Sequence, residues 1–84
     1  MSYYEYVFSG NLTTEYEERS KQLLNEVNTS YVPYVIHKYI DEEIEGKKHR
    51  TIIIHSHLNL NEILLTKFVN CGLEMRVYYK QQII

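Results

Sequence analysis

The chain has 84 residues, of which 44% are hydrophobic and 24% charged, and its formal net charge is −2. This length and composition predict one small globular domain spanning residues 1–84. The slightly acidic balance gives no electrostatic reason to expect a nucleic-acid backbone or an anionic membrane as partner. A single cysteine excludes an internal disulfide, and no apolar run approaches a membrane span, so we expect a cytoplasmic protein.

The first two predicted elements are a strand and a helix. Residues 3–10 (YYEYVFSG) are aromatic and β-branched and end in glycine, which predicts a strand. Thr14 and Glu17 then stand at capping-box spacing, so a helix is expected over about residues 14–28. Its buried face is predicted from apolar and small residues at helical spacing, namely Tyr16, Ser20, Leu23, Leu24 and Val27.

The middle of the chain predicts a hairpin. Residues 31–40 (YVPYVIHKYI) form a strand that should lie at a sheet edge, because Pro33 cannot donate to a sheet ladder. Acidic residues approach Gly46 and basic residues leave it, so opposite charges are expected to face one another across the antiparallel pair. Residues 51–58 (TIIIHSHL) predict the returning strand, and their isoleucine run favours a central position in the sheet.

The last two predicted elements are a second helix and a final strand. Asn59 and Glu62 resemble a second capping pair, and Gly72 stands where a left-handed residue is wanted after a helix. The expected helix covers about residues 60–71. Its apolar stripe is Leu60, Ile63, Leu64, Phe68 and Cys71. Residues 73–80 (LEMRVYYK) alternate in polarity and predict the last strand.

The predicted order, β-α-β-β-α-β, is that of the split-βαβ, or ferredoxin-like, arrangement. This α+β fold has a four-stranded antiparallel sheet, with strand order 4-1-3-2 and both helices on one face. The edge position of the second strand agrees with Pro33, and the inner position of the third agrees with its isoleucines. The resemblance is to a superfold that hosts unrelated functions, so it implies no activity.

The second face of the predicted sheet is the candidate site. Alternation directs Ile52, Ile54 and Leu58 toward the helices and leaves the residues between them on the other face. The same reasoning directs Tyr6 and Phe8 inward. Tyrosine, arginine and apolar residues together are typical of the centre of a protein interface. The predicted interaction face consists of Tyr3, Val7, His37, Tyr39, Ile53, His55, His57, Arg76 and Tyr78.

Three histidines on this face raise the question of a metal site. A three-residue turn formed by residues 45–47 would place His37 opposite His55, with His57 one step along, and three imidazoles at such spacing can bind zinc. A two-residue turn formed by residues 45–46 would instead move His37 to the helix side. Both registers remain open, and no carboxylate or cysteine completes the set. We therefore assign no metal and no cofactor, and a metal-dependent enzyme is kept as an alternative.

Other chemistry has weaker support in the sequence. Ser56 is predicted to point away from the neighbouring histidines, and Cys71 lies in a helix stripe, where an inert core thiol is expected. RNA-recognition motifs share this topology, but they stack bases on aromatic residues of the first and third strands, and the third strand here has none. Nucleic-acid binding through the sheet face and the hairpin residues Lys47, Lys48, His49 and Arg50 is a second alternative.

We therefore predict a small non-catalytic interaction or regulatory protein that forms a homodimer. Two sheets could stack face to face and bury Ile53 and Tyr78, or the last strand could pair edge to edge with its copy. The wealth of Asn, Ile, Lys and Tyr is typical of an AT-rich genome. It favours the hypothesis of a phage or mobile-element product that inhibits a host protein.

Overall fold

A computed structural model describes residues 2–29, 34–68 and 71–81, and it confirms the predicted fold. The elements are β1 (Ser2–Asn11), α1 (Thr14–Thr29), β2 (Tyr34–Ile44), β3 (Lys47–Ser56), α2 (Asn61–Lys67) and β4 (Glu74–Gln81). The strands form one antiparallel sheet in the order β2-β3-β1-β4, so β2 lies at an edge as predicted. Pro33, on which that prediction depended, lies outside the described residues.

One hydrophobic core fills the space between the sheet and the two helices. Tyr6 and Phe8 on β1 and Ile52 and Ile54 on β3 are buried, which confirms the predicted inward face of both strands. Alternation alone accounts for this, because every second residue of a strand points to the same side. The residues that complete the core from α1, β2, α2 and the segments flanking α2 are Tyr16, Leu23, Tyr34, Leu60, Leu64 and Phe68.

The capping residue of α1 lies one position before the predicted one, although the helix begins at residue 14 as expected. The Tyr16 backbone N–H donates to Thr13 Oγ1 at 3.1 Å, so Thr13 caps the helix and the predicted box formed by Thr14 and Glu17 is wrong. A hydroxyl reaches the N–H three residues later, and the helix begins at Thr14. Leu24, expected on the buried face, is 42% exposed.

The second helix is shorter than predicted. It covers seven residues, and its N-cap residue Leu60 makes no side-chain capping bond. Asn59 Oδ1 accepts the N–H of Asn61 at 3.0 Å, which forms a local turn instead of the expected pair with Glu62. Gly72 has the expected left-handed backbone, with φ +70°.

The hairpin between β2 and β3 has a two-residue turn. Glu45 and Gly46 have φ values of 52° and 78°, the signature of a type I′ turn. The predicted opposition of charge is confirmed: Asp41 stands opposite Arg50 and binds its guanidinium through both oxygens, at 2.7 and 2.9 Å. Two further opposed pairs follow toward the turn, namely Glu42 with His49 and Glu43 with Lys48.

The chain leaves the sheet earlier after β3 than the sequence pattern predicts. Ser56 is the last residue of β3 and is buried on the helix side, after which the chain bends. Leu58, which was predicted to point inward, is therefore 55% exposed. Among the described residues, neither helix is long and apolar enough to cross a membrane.

Candidate functional site

The side of the sheet that faces away from the helices is called the open face below. Residues directly opposite one another on paired strands share a face, so the register defines rows that run from β2 to β4. Two of these rows form the centre of the open face. They are Val35, His55, Glu5 and Tyr78 in the first row, and Lys38, Ile53, Val7 and Arg76 in the second.

A carboxylate lies in the middle of the open face. The Glu5 side chain is only 15% exposed, and it accepts hydrogen bonds from His55 Nε2 at 2.9 Å and Lys80 Nζ at 3.0 Å. Burial raises the pKa of Glu5, but the bonds from His55 and Lys80 outweigh burial and hold it below its ordinary value. Glu5 is therefore ionised at neutral pH, and its charge is compensated within the face.

The His55 ring is contacted from both neighbouring strands. Tyr3 on β1 approaches it with ring centroids 4.7 Å apart, and His37 on β2 stacks on it with centroids 4.4 Å apart and an interplanar angle of 14°. Together with the bond to Glu5, these contacts fix the orientation of the imidazole. The three rings form an aromatic strip that crosses three strands of the open face.

His37 reaches this strip through a β-bulge. The register shifts between Ile36, which stands opposite Ile54, and Lys38, which stands opposite Ile53, so His37 has no partner residue on β3. An extra residue of this kind changes which side chains face outward on one side of the bulge. The expectation that a two-residue turn would send His37 to the helix side is therefore wrong, although the turn itself has two residues.

Tyr39 and His57 do not lie where the predicted interaction face requires them. Tyr39 stands opposite Ile52 and points to the helices, where its hydroxyl donates to the Ser20 carbonyl at 3.0 Å. The two-residue turn is the cause, because it places Tyr39 opposite Ile52. A three-residue turn would have placed Tyr39 opposite Ile53, on the open face. His57 lies beyond the end of β3, and its Nδ1 donates to the Ser2 carbonyl at 3.1 Å.

The three histidines therefore do not converge. His37 and His55 are stacked, but His57 is held elsewhere by its own hydrogen bond. In the part of the chain that the structure describes, no three His, Cys, Asp or Glu side chains are arranged to hold a metal ion. The clustering of His37, His55 and His57, which one of the two open registers would have allowed, is not formed.

The apolar and aromatic residues predicted on this face, apart from Tyr39, do lie on it. Tyr3, Val7 and Ile53 are partly exposed, and Tyr78 is 42% exposed. Val35, 63% exposed, belongs to the same surface but was not predicted, because β2 is apolar on both faces and its register could not be assigned. Alternation along the first strand predicts Glu5 on this face, but nothing in the sequence marks Glu5 as the centre of a charge cluster.

Most of the groups considered for catalysis or anion binding already have partners. Arg76 binds Glu74 at 3.1 Å, as Lys80 binds Glu5 and Arg50 binds Asp41. The Ser56 hydroxyl lies on the helix side, 3.0 Å from the Leu58 carbonyl. Burial raises the pKa of the Cys71 thiol, which disfavours the nucleophilic thiolate.

Comparison with known proteins adds evidence on the fold alone. No protein-family model and no curated protein matches the sequence. Among solved structures, the chain is similar to one titled "De novo designed protein Foldit4", with a TM-score of 0.61 and 16% identity, over 98% of each chain. At 16% identity this likeness shows the fold alone, and a shared fold does not imply a shared function.

Proposed function

We propose that this chain is a small non-catalytic interaction protein that binds a protein partner through the open face and regulates that partner by occupying its surface. The observation that carries the proposal is the composition of the face. Apolar and aromatic side chains surround the Glu5 carboxylate at the centre of the face, and Lys80 compensates its charge within the face.

The centre of the face has the character of an interface core. Val7 and Ile53 stand directly opposite one another on the two central strands, and both are partly exposed. Tyr3 and Tyr78 flank them, and Arg76 stands next to Val7 in the same row, on the edge strand β4. Contiguous exposed apolar surface on a small domain marks an interaction site, and tyrosine and arginine are enriched among the residues that dominate binding energy.

The same surface favours a protein over a nucleic acid. Backbone phosphates are bound by cations that are free to replace counterions. Arg76 and Lys80 are each paired with a glutamate, and the hairpin cation Arg50 is paired with Asp41. The central strand β3 offers Ile53 and His55 to the open face, so it lacks the aromatic platform on which bases stack.

Site-specific photocrosslinking tests the proposal. A photoreactive amino acid replaces Ile53 on the open face, and in a matched variant it replaces Ile63, which is 47% exposed on α2. We expect a discrete crosslinked protein in cells from position 53 and none from position 63.

The partner so identified is then purified for a direct binding measurement. Ile53→Asp should weaken binding by about tenfold or more, because it places a carboxylate in a desolvated interface centre. Ile63→Asp, the same chemical change on the helix layer, should leave affinity unchanged. Equal loss in both variants, or crosslinking from position 63 alone, would contradict the use of the open face.

A further inference from the structure

The two edges of the sheet differ in how well they are protected. The β2 edge carries the bulge at His37 and a run of acidic residues near the turn. β4 pairs with β1 over eight residues without any shift in register, and it contains no proline. Within the described residues, the other side of β4 has no strand beside it. Natural proteins block free edges with bulges, prolines or charge, and a regular open edge is a template for pairing with another strand.

Apolar side chains on both sides of β4 remain exposed. Val77 and Tyr79 point to the helix side, opposite Tyr6 and Tyr4, but they are 39% and 67% exposed. Tyr78 is 42% exposed on the open face. The edge of β4 therefore combines unpaired backbone with exposed apolar surface.

We propose that β4 pairs antiparallel with β4 of a second copy of this chain, about a two-fold axis that passes through Val77. In this register Val77 stands opposite the partner's Val77. Glu74 stands opposite the partner's Lys80, so each adds a charged neighbour to the one it has in its own chain, Arg76 for Glu74 and Glu5 for Lys80. Opposite charges directly across an antiparallel pair stabilise it. Arg76 lies against the partner's Tyr78, and Met75 against the partner's Tyr79, which are cation–π and sulfur–aromatic contacts.

The neighbouring registers are less favourable. An axis at Arg76 would place Arg76 opposite itself, and an axis at Tyr78 would place Arg76 opposite the partner's Lys80, so like charges would face one another. A shift by one residue would set open-face residues opposite helix-side residues. Larger shifts pair fewer residues of the strand. The Val77 axis alone combines the pairing of residues 74–80, all of β4 except its last residue, with complementary charge.

The resulting dimer is a continuous sheet of eight strands. Its axis is perpendicular to the sheet, so all four helices lie on one side and the two open faces lie next to one another on the other side. The inference goes beyond the proposed function. Arg76 and Tyr78 belong to both surfaces, but Ile53, which tests the proposed function, lies on β3, two strands away from the edge of β4.

The first test is the mass of the full chain in solution, measured by light scattering at high micromolar concentration. We expect twice the chain mass of 10.1 kDa. Val77→Lys, which places two ammonium groups opposite one another on the axis, should give the single-chain mass with an unchanged circular dichroism spectrum. Val77→Thr keeps the shape and should remain dimeric. Ile53→Asp, which tests the proposed function, should also remain dimeric.

The second test reports the register. Directly opposite residues have Cβ atoms about 4.5–5.5 Å apart, so Val77→Cys should form a disulfide-linked dimer in air. Tyr79→Cys is more exposed, but it lies four residues along from its copy, about 13 Å at 3.3 Å per residue, and should not link. The wild type is the control, because its cysteine, Cys71, is buried. A monomeric wild type, loss of the dimer in Ile53→Asp, or linking through Tyr79→Cys would each overturn the proposal.

Discussion

Replacing Tyr6 by phenylalanine removes one oxygen atom from the middle of the core. The Tyr6 side chain is fully buried, and its hydroxyl accepts the backbone N–H of Leu60 at 2.7 Å while donating to Asn59 Oδ1 at 3.5 Å. Leu60 is the N-cap residue of α2, and its own side chain makes no capping hydrogen bond. Tyr6 on β1 therefore fixes the start of α2 from 54 positions away in the chain.

The expected cost follows from the burial of the partner left behind. Phenylalanine keeps the shape of the ring, so the loss comes from a buried N–H without an acceptor, which costs about 1–3 kcal/mol. A domain of this size has a free energy of unfolding of about 4–13 kcal/mol, at about 0.05–0.15 kcal/mol per residue. A loss of about 2 kcal/mol should lower the melting temperature by about 8–16 °C, at about 4–8 °C per kcal/mol.

Urea and thermal denaturation measure this change, and hydrogen exchange at the amides of α2 locates it. Tyr79→Phe is the matched control, because Tyr79 is 67% exposed and its substitution should change stability by less than about 0.5 kcal/mol. If Tyr6→Phe were as stable as the control, the Leu60 N–H would have another acceptor. The account of how α2 is held against the sheet would then be refuted.

Three further predictions concern pH, the turn and metal binding. The folded-state pKa of Glu5 lies below the ordinary value of 4.5, so the stability that Glu5 contributes is present above pH 4.5 and is lost as pH falls through the folded pKa. Glu5→Gln should flatten this part of a profile of unfolding free energy against pH, measured by urea denaturation. An unchanged slope would contradict the role given to the bonds from His55 and Lys80. Glu45→Asn should raise the free energy of unfolding, measured by urea titration, by up to about 1 kcal/mol, because Glu45 has φ 52° and asparagine tolerates a left-handed backbone better than glutamate. A loss of stability would argue against this turn. Zinc should leave the melting temperature unchanged, because His57 does not join His37 and His55; a saturable rise that His55→Ala abolishes would favour the metal-dependent alternative.

The parts of the fold that could be predicted are those in which alternation and burial agree. On β1 and β3 one set of alternate residues is clearly apolar, so the inward positions of Tyr6 and Ile54 followed from the pattern. The order of elements then restricts the topology, because short connections and a single sheet allow few arrangements. This is why most residues of the open face were placed correctly.

The register of β2 could not be predicted, for a physical reason. Its residues are apolar on both faces, so no alternation selects one pairing, and the turn and the bulge together decide it. Tyr39 moved to the core because the turn has two residues, whereas His37 stayed outside because a bulge inserts one extra position. The capping error at Thr14 has a similar origin, since Thr13 and Thr14 are chemically equivalent and only the path of the chain after β1 distinguishes them.

The bulge at His37 also decides how large an assembly built from this sheet can become. A sheet whose two edges both accept a further strand grows without limit, as in cross-β fibrils. Here the β2 edge is interrupted where His37 has no partner residue, and it is lined with carboxylates toward the turn. In the dimer proposed above, addition through β4 would use the regular edge of each chain, so growth would end with a closed pair of two-fold symmetry. On that proposal, a single extra residue in an outer strand would limit the assembly to two chains and prevent aggregation.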